Sequence, residues 1–228
     1  THCPVGAITK GDELHTDETK CIKCCACVKA CTKKARIYDT PFAALLSDCF
    51  KKQNINFVEI LFTKYRILNP KYESLFYPVL NARELIGRYN DFASLNCMVG
   101  TAMEKQKALC HPYPATMDKI ERFGYDPKQL HHILRLDEFM SRWLDGEPYE
   151  DCLLSKKADY LKQIKFGCLS KDEAVEMADR YVSAMKSVKT KYMEEHEPSV
   201  NRAVDYILNQ TLLQLFKYNF QCEIGGAA

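Results

Sequence analysis

The chain has 228 residues, of which 46% are apolar, enough to bury a sizeable core in one large domain or two modest ones. Its 32 basic and 30 acidic side chains leave a net charge of +2, so no global field steers it to nucleic acid or to an anionic membrane, and any phosphate binding must be local. No apolar run approaches the ~20 residues of a membrane-spanning helix and no leader-like pattern opens the sequence, so a soluble, cytoplasmic protein without membrane contact is expected.

Six of the twelve cysteines fall within the first 31 residues at ligand-like spacing and the other six are scattered, which favours a reducing compartment over a disulfide framework. The sequence opens on Thr1-His2-Cys3-Pro4, in the middle of what reads as a motif, so a fragment is expected.

Residues 1–40 are organised by Cys21-Ile22-Lys23-Cys24-Cys25-Ala26-Cys27-Val28-Lys29-Ala30-Cys31, which without Cys25 reads C-x2-C-x2-C-x3-C. Three thiolates two residues apart can wrap one corner of a cubic iron–sulfur cluster, with a fourth ligand from elsewhere. Cys3-Pro4 precedes a stretch in which Gly11-Asp12 marks the turn of a small hairpin. Zinc is the alternative metal, although zinc sites of four cysteines typically pair two C-x2-C arms across a longer gap. Redox-switch thiols are a third reading, but nothing separates an attacking from a resolving cysteine.

These words resemble the second half of bacterial two-cluster [4Fe-4S] ferredoxins. Together with Lys33-Lys34-Ala35-Arg36 they look most like the ferredoxin end of flavodoxin–ferredoxin fusion proteins. The resemblance implies a small α+β ferredoxin-like module with one [4Fe-4S] cluster on Cys3, Cys21, Cys24 and Cys27. It also makes Cys31 a ligand of a second cluster, whose other three ligands would precede Thr1. Cys25 is left without a role, and Thr32 stands where the family usually has Pro. Such a module passes single electrons to a redox partner such as a flavodoxin-like domain or protein.

Residues 41–53 read as a connecting amphipathic helix: Thr40-Pro41 suits its start, and Phe42, Leu45, Leu46, Cys49 and Phe50 recur at helical spacing up to about Lys52. A domain boundary is expected near Gln53. Phe57-Val58-Glu59-Ile60-Leu61-Phe62 then reads as a short strand, and residues 54–222 as a larger helical domain with one or two short strands. Helix starts are expected at Asn69-Pro70 and at an Asn81/Glu84 capping box. A further helix covers about Phe92 to Leu109 and stops at His111-Pro112, and Gly124 closes another. Asp126-Pro127 opens a helix with Leu130, Ile133, Leu134, Met140 and Trp143 on its apolar face and Gly146 as its stop. Ser170 and Glu173 form a capping box before Ala174, Ala178, Val182 and Met185, and Val204, Ile207, Leu208 and Leu212 mark the last helix. Residues 223–228 read as a frayed tail.

Lys128, His132 and Arg135 stand at i, i+4 and i+7, so all three project from nearly one face of their helix, a stripe that can hold phosphates or simply be a solvated polar face. Gly124-Tyr125-Asp126-Pro127-Lys128 and His132-x-x-Arg135-Leu136 resemble a signature of predicted nucleotidyltransferases of the DNA polymerase β superfamily, including RNA-repair-associated members. The resemblance extends to Glu59-Ile60-Leu61 and to Gly100 with Glu104-Lys105, over most of residues 55–190. It implies that Lys128, His132 and Arg135 lie near a nucleotide or its acceptor, possible partners being a nucleotide, with Mg2+ where the catalytic half is present, or RNA. That catalytic half needs clustered carboxylates for two metal ions, and neither a Gly-Ser nor an Asp-x-Asp word occurs in the chain. No catalytic residue is therefore assigned. The readings are electron transfer through the iron–sulfur module joined to a nucleotidyltransferase-like helical domain, nucleotide transfer to RNA or protein with the ferredoxin part as an accessory or an artefact of fusion, or a helical interaction scaffold.

Overall fold

A computed structural model of the chain describes residues 49–64, 70 and 72–225, with side chains up to residue 218. All of them belong to one compact unit, Leu46–Ala228. The cysteine motif, with Cys3, Cys21, Cys24, Cys27 and Cys31, lies outside the described residues, as does most of the connecting helix, of which residues 49–51 are seen.

The described part is mainly α-helical. Ten helices follow in order: α1 (Ile55–Val58), α2 (Glu73–Asn81), α3 (Arg83–Ile86), α4 (Asp91–Ala108), α5 (Met117–Phe123), α6 (Pro127–Leu144), α7 (Tyr149–Cys152), α8 (Ala158–Lys165), α9 (Lys171–Glu195) and α10 (Arg202–Gly225), with a 3-10 turn at Glu59–Phe62 after α1. The last helix runs past the tail boundary expected at residue 222. No helix among the described residues is long and apolar enough to cross a membrane.

The strand expected over Phe57–Phe62 is helical instead. Asn54 starts α1 by accepting a hydrogen bond on its side chain from the Asn56 N–H at 3.1 Å. The residues buried are Ile55, Val58, Leu61 and Phe62, while Phe57 and Ile60 are exposed. That spacing of three and four is a helical period, and it prevails over the β-branched and aromatic composition. Among the described residues the only β pairing is an isolated antiparallel bridge between Asn90 and Val200.

Helix α6 is the axis of the unit. Asp126, 1% exposed, caps it by accepting from the Lys128 N–H at 3.0 Å and the Gln129 Nε2 at 2.9 Å, and Pro127 occupies the first turn where no backbone donor is needed. Leu130, Ile133, Leu134, Leu136, Phe139, Met140 and Trp143 are all buried. Each such side chain contributes about 1.5–3 kcal/mol relative to exposure. They pack α6 against α4, α8 and α9, while α9 also packs on α4 and α10 on α2. The 25-residue α9 opens on the Ser170/Glu173 capping box, with Ser170 N–H donating to Glu173 Oε2 at 2.8 Å. Gly124 (φ 77°) ends α5 in the left-handed conformation that lets its N–H return to Ile120 O at 2.8 Å.

Two expected starts differ. Helix α2 begins at Glu73, after Tyr72, not at Pro70. Asn81 is the last residue of α2, and Glu84, instead of closing a capping box, reaches 65 residues along the chain, where Oε2 accepts from Tyr149 N–H at 2.8 Å and Oε1 from Glu150 N–H at 3.2 Å. It caps α7, whose own first residues lack a side-chain cap.

The boundary residue Gln53 is a buried knot. Its backbone is left-handed (φ 51°), and its amide donates to Phe50 O and Ile86 O at 2.7 Å each while Oε1 faces the Ser94 hydroxyl at 2.9 Å. These bonds fix where α1 leaves the preceding helix and so place the wall of the cleft described next.

Candidate functional site

A cleft of about 450 Å³ opens between α1 with its 3-10 turn, α4 and α6. From the first come Asn54, Asn56 and Glu59; from α4 come Asn96, Cys97, Gly100, Thr101, Glu104 and Lys105; from α6 come His132, Arg135, Leu136 and Phe139. The α4 contribution is one helix face, since 97, 100, 101, 104 and 105 recur every three or four residues. Midway along it Gly100 leaves room: a Cβ built there meets nothing within 4 Å.

Glu59, Gly100, Glu104, Lys105, His132 and Arg135, distant in sequence, are thus brought to one concavity. Arg135 donates from Nη2 to Glu59 Oε2 at 3.2 Å, both side chains being about one-third exposed, so a wall charge on α6 is anchored to the 3-10 turn. Lys105 is half-buried and has no ion pair among the described residues. His132 is half-buried; loss of water pushes its pKa down to about 4, and the neighbouring His131, Lys105, Lys128 and Arg135 push in the same direction. It is therefore a neutral imidazole at physiological pH, set in a positive field. His131 stands edge-on to it with ring centroids 5.5 Å apart, its pKa also lowered, first by burial. The His131 Nδ1 is buried without a hydrogen-bond partner.

Lys128 does not share this cleft. It lines a second concavity of about 320 Å³ with residues of α5 and the end of α8. Lys128, His132 and Arg135 do share a helix flank, but Lys128 sits in the first turn, beside α5, whereas His132 and Arg135 lie one and two turns on, beside α4. The stripe read from the sequence is thus divided between two sites.

Asn54, Asn56, Asn96 and Thr101 complete the cleft and were not singled out from sequence. A signal for the last two existed: Asn96, Gly100 and Thr101, Glu104 and Lys105 place small or polar residues at every turn of an otherwise core-facing helix. Asn54 and Asn56 carried none, because the segment reads as strand.

Among the described residues no group of three or more His, Cys, Asp or Glu side chains is arranged to hold a metal ion. The cleft's two carboxylates are Glu59, already paired with Arg135, and the exposed Glu104. This donor set does not fit a two-metal transfer centre, which clusters carboxylates around both ions. What the arrangement can do is accept an anion: Lys105 and Arg135 offer charge and N–H donors, neutral His132 offers a hydrogen bond, and the side-chain NH2 groups of Asn54, Asn56 and Asn96 offer further donors, the Asn54 and Asn96 oxygens being held by Asn56 N–H and Lys189.

No protein-family profile matches the chain, and comparisons with curated proteins and with solved structures find no match either.

Proposed function

We propose that the cleft between α4 and α6 binds the phosphate groups of a nucleotide, and that the N-terminal cysteines hold a [4Fe-4S] cluster in the same chain. The first reading is carried by one observation: Lys105, His132 and Arg135 converge on a 450 Å³ cleft from two helices, facing Glu59 and Glu104. Its volume lies in the range of small-molecule sites, and its half-buried polar groups outnumber what folding has paired. Binding is the proposed activity. Nucleotide transfer in the polymerase-β manner needs carboxylates beyond those the cleft contributes.

Titration calorimetry of the full chain with ATP, with and without Mg2+, tests it. Binding that weakens about tenfold or more in Lys105→Gln and in Arg135→Gln is the expected result, since a charge-assisted hydrogen bond contributes ~1.5–3 kcal/mol. No heat with ATP, or wild-type affinity in both variants, overturns it.

The cluster reading rests on the spacing of Cys3, Cys21, Cys24 and Cys27. By that reading the module exchanges single electrons with a flavodoxin-like partner in a reducing, cytoplasmic compartment. Anaerobic reconstitution should give about four irons and four sulfides per chain, and Cys24→Ser should prevent incorporation. Zinc retained in place of iron would turn the same four residues into a structural zinc site.

A further inference from the structure

The second concavity, about 320 Å³, is lined by Asp118, Lys119, Arg122 and Phe123 of α5, Pro127 and Lys128 of α6, and Lys165 and Phe166 at the end of α8. Four cations face one carboxylate in that lining. Lys119 is engaged with the N-cap carboxylate of Asp126 at 3.7 Å, but Arg122, Lys128 and Lys165 are exposed and have no ion pair among the described residues. Such local excess is notable in a chain whose net charge is +2, because nothing in the overall composition demands it.

The aromatic part is built as deliberately. Phe123 is half-buried, with the Arg122 guanidinium over its ring at 4.8 Å, and it lies directly beneath Gly167. A Cβ at Gly167 would come within 2.5 Å of the Phe123 ring, and the backbone there is left-handed (φ 76°), so both the close approach and the turn call for glycine. The turn that seats Phe123 below turns Phe166 outward: it is 74% exposed, the most exposed of the large apolar side chains among the described residues. An open aromatic ring that shares a groove with cations free of ion pairs among the described residues has the composition of a surface on which a base stacks while its flanking phosphates are neutralised.

We propose that this groove binds a single-stranded polynucleotide, with Lys128, Lys165 and Arg122 on its phosphates and a base stacked on Phe166. Duplexes suit it poorly, because their bases are already stacked and a single protruding ring finds no free face. The groove and the α4–α6 cleft share no lining residue, so either can fail without the other.

Fluorescence anisotropy of the full chain with labelled strands of ~12 nucleotides, within the span such surfaces occupy, tests the proposal. Single-stranded RNA or single-stranded DNA should bind more tightly than a duplex of the same sequence. Affinity should fall with salt by a slope of about −0.7 for each phosphate neutralised. The double variant Lys128→Gln/Lys165→Gln should weaken binding at least tenfold and flatten that slope by about 1.4. Phe166→Ala should weaken it several-fold and leave the slope unchanged, a separation that a purely ionic surface would not give. All three positions are exposed, so an unchanged circular dichroism spectrum and melting temperature is the control for folding. Absence of single-strand binding, a duplex held as tightly as single strands, or full affinity in Phe166→Ala overturns the proposal.

Discussion

The two ends of α6 treat charge in opposite ways. At the C-terminal end Arg142, 8% exposed, donates from Nε and Nη2 to Glu147 Oε2 at 2.9 and 2.7 Å, and from Nη1 to Leu154 O at 2.7 Å. Lys156 donates to the other Glu147 oxygen at 2.8 Å, and Arg88 donates to Trp143 O and Glu147 O at 2.9 and 2.5 Å. Hydrogen bonds from Arg142, then Lys156, hold the Glu147 carboxyl down at about 2. Toward the N-terminal end His132 is held neutral and Lys105, across the cleft, has no ion pair among the described residues. The Arg142 and Glu147 groups at the C-terminal end are satisfied within the fold, whereas Lys105 and His132 keep hydrogen-bonding capacity in a cleft that an outside ligand can reach.

The largest effect should come from breaking the satisfied end. Arg142→Ala removes both bonds to Glu147 Oε2, leaving that carboxylate only Lys156 among its side-chain partners, and frees the Leu154 carbonyl, so the melting temperature should fall by roughly 5–10 °C by thermal circular dichroism. ATP binding below the transition should survive. A drop under ~2 °C would show that the Arg142 network is ornament and remove one side of the comparison.

The second effect separates the two ends by pH. His132 titrates in the fold at about 4, below its ordinary value of about 6.5, so the unfolded chain takes up the proton first. Its contribution to stability is complete above pH ~6.5 and is lost as pH falls toward 4. Glu147 behaves otherwise: its folded value of about 2 lies below its ordinary 4.5, so its contribution is intact down to pH ~4.5 and lost only as pH approaches 2. Asp137, raised by burial, opposes the loss at the acid end of the histidine window. Denaturant unfolding of wild type and His132→Gln between pH 7 and 4.5 isolates the histidine as the difference between two curves. The wild type should lose more stability over that window; parallel curves would mean that His132 is not held neutral.

Helices α6 and α9 were legible because their limits are local: Asp126-Pro127 and Ser170-x-x-Glu173 cap within four residues, and their apolar faces repeat at 3.6. Glu84 was misplaced because its partners are Tyr149 and Glu150, and a cap supplied across 65 residues leaves no trace in local sequence. Phe57–Phe62 was misread because a six-residue run that is apolar but for Glu59 carries strand composition and helix period at once, and only the burial of Ile55, Val58, Leu61 and Phe62 decides between them. Among the site residues, His132 and Arg135 were legible as a helical pair. That Lys128 belongs to a different concavity depends on which helices flank α6 at each turn, which is tertiary information.

The smallest effect gives the sharpest test of the site end. Gly100 sits in the interior of the 18-residue α4, where glycine costs about 1 kcal/mol relative to alanine through the backbone freedom it loses on folding. Its backbone is helical and a Cβ meets no atom within 4 Å, so neither conformation nor packing requires glycine there. Gly100→Ala should therefore raise the melting temperature by roughly 1–4 °C, since 1 kcal/mol corresponds to about 2–4 °C in a chain of this size. Gly100 lines the cleft and a Cβ there stands in open space, so the added methyl takes up room a ligand would use and the same variant should bind ATP several-fold more weakly. Opposite signs for stability and affinity are what a residue kept small for a ligand produces. A gain in both would mean that the ligand never reaches Gly100 and would count against phosphate binding in this part of the cleft.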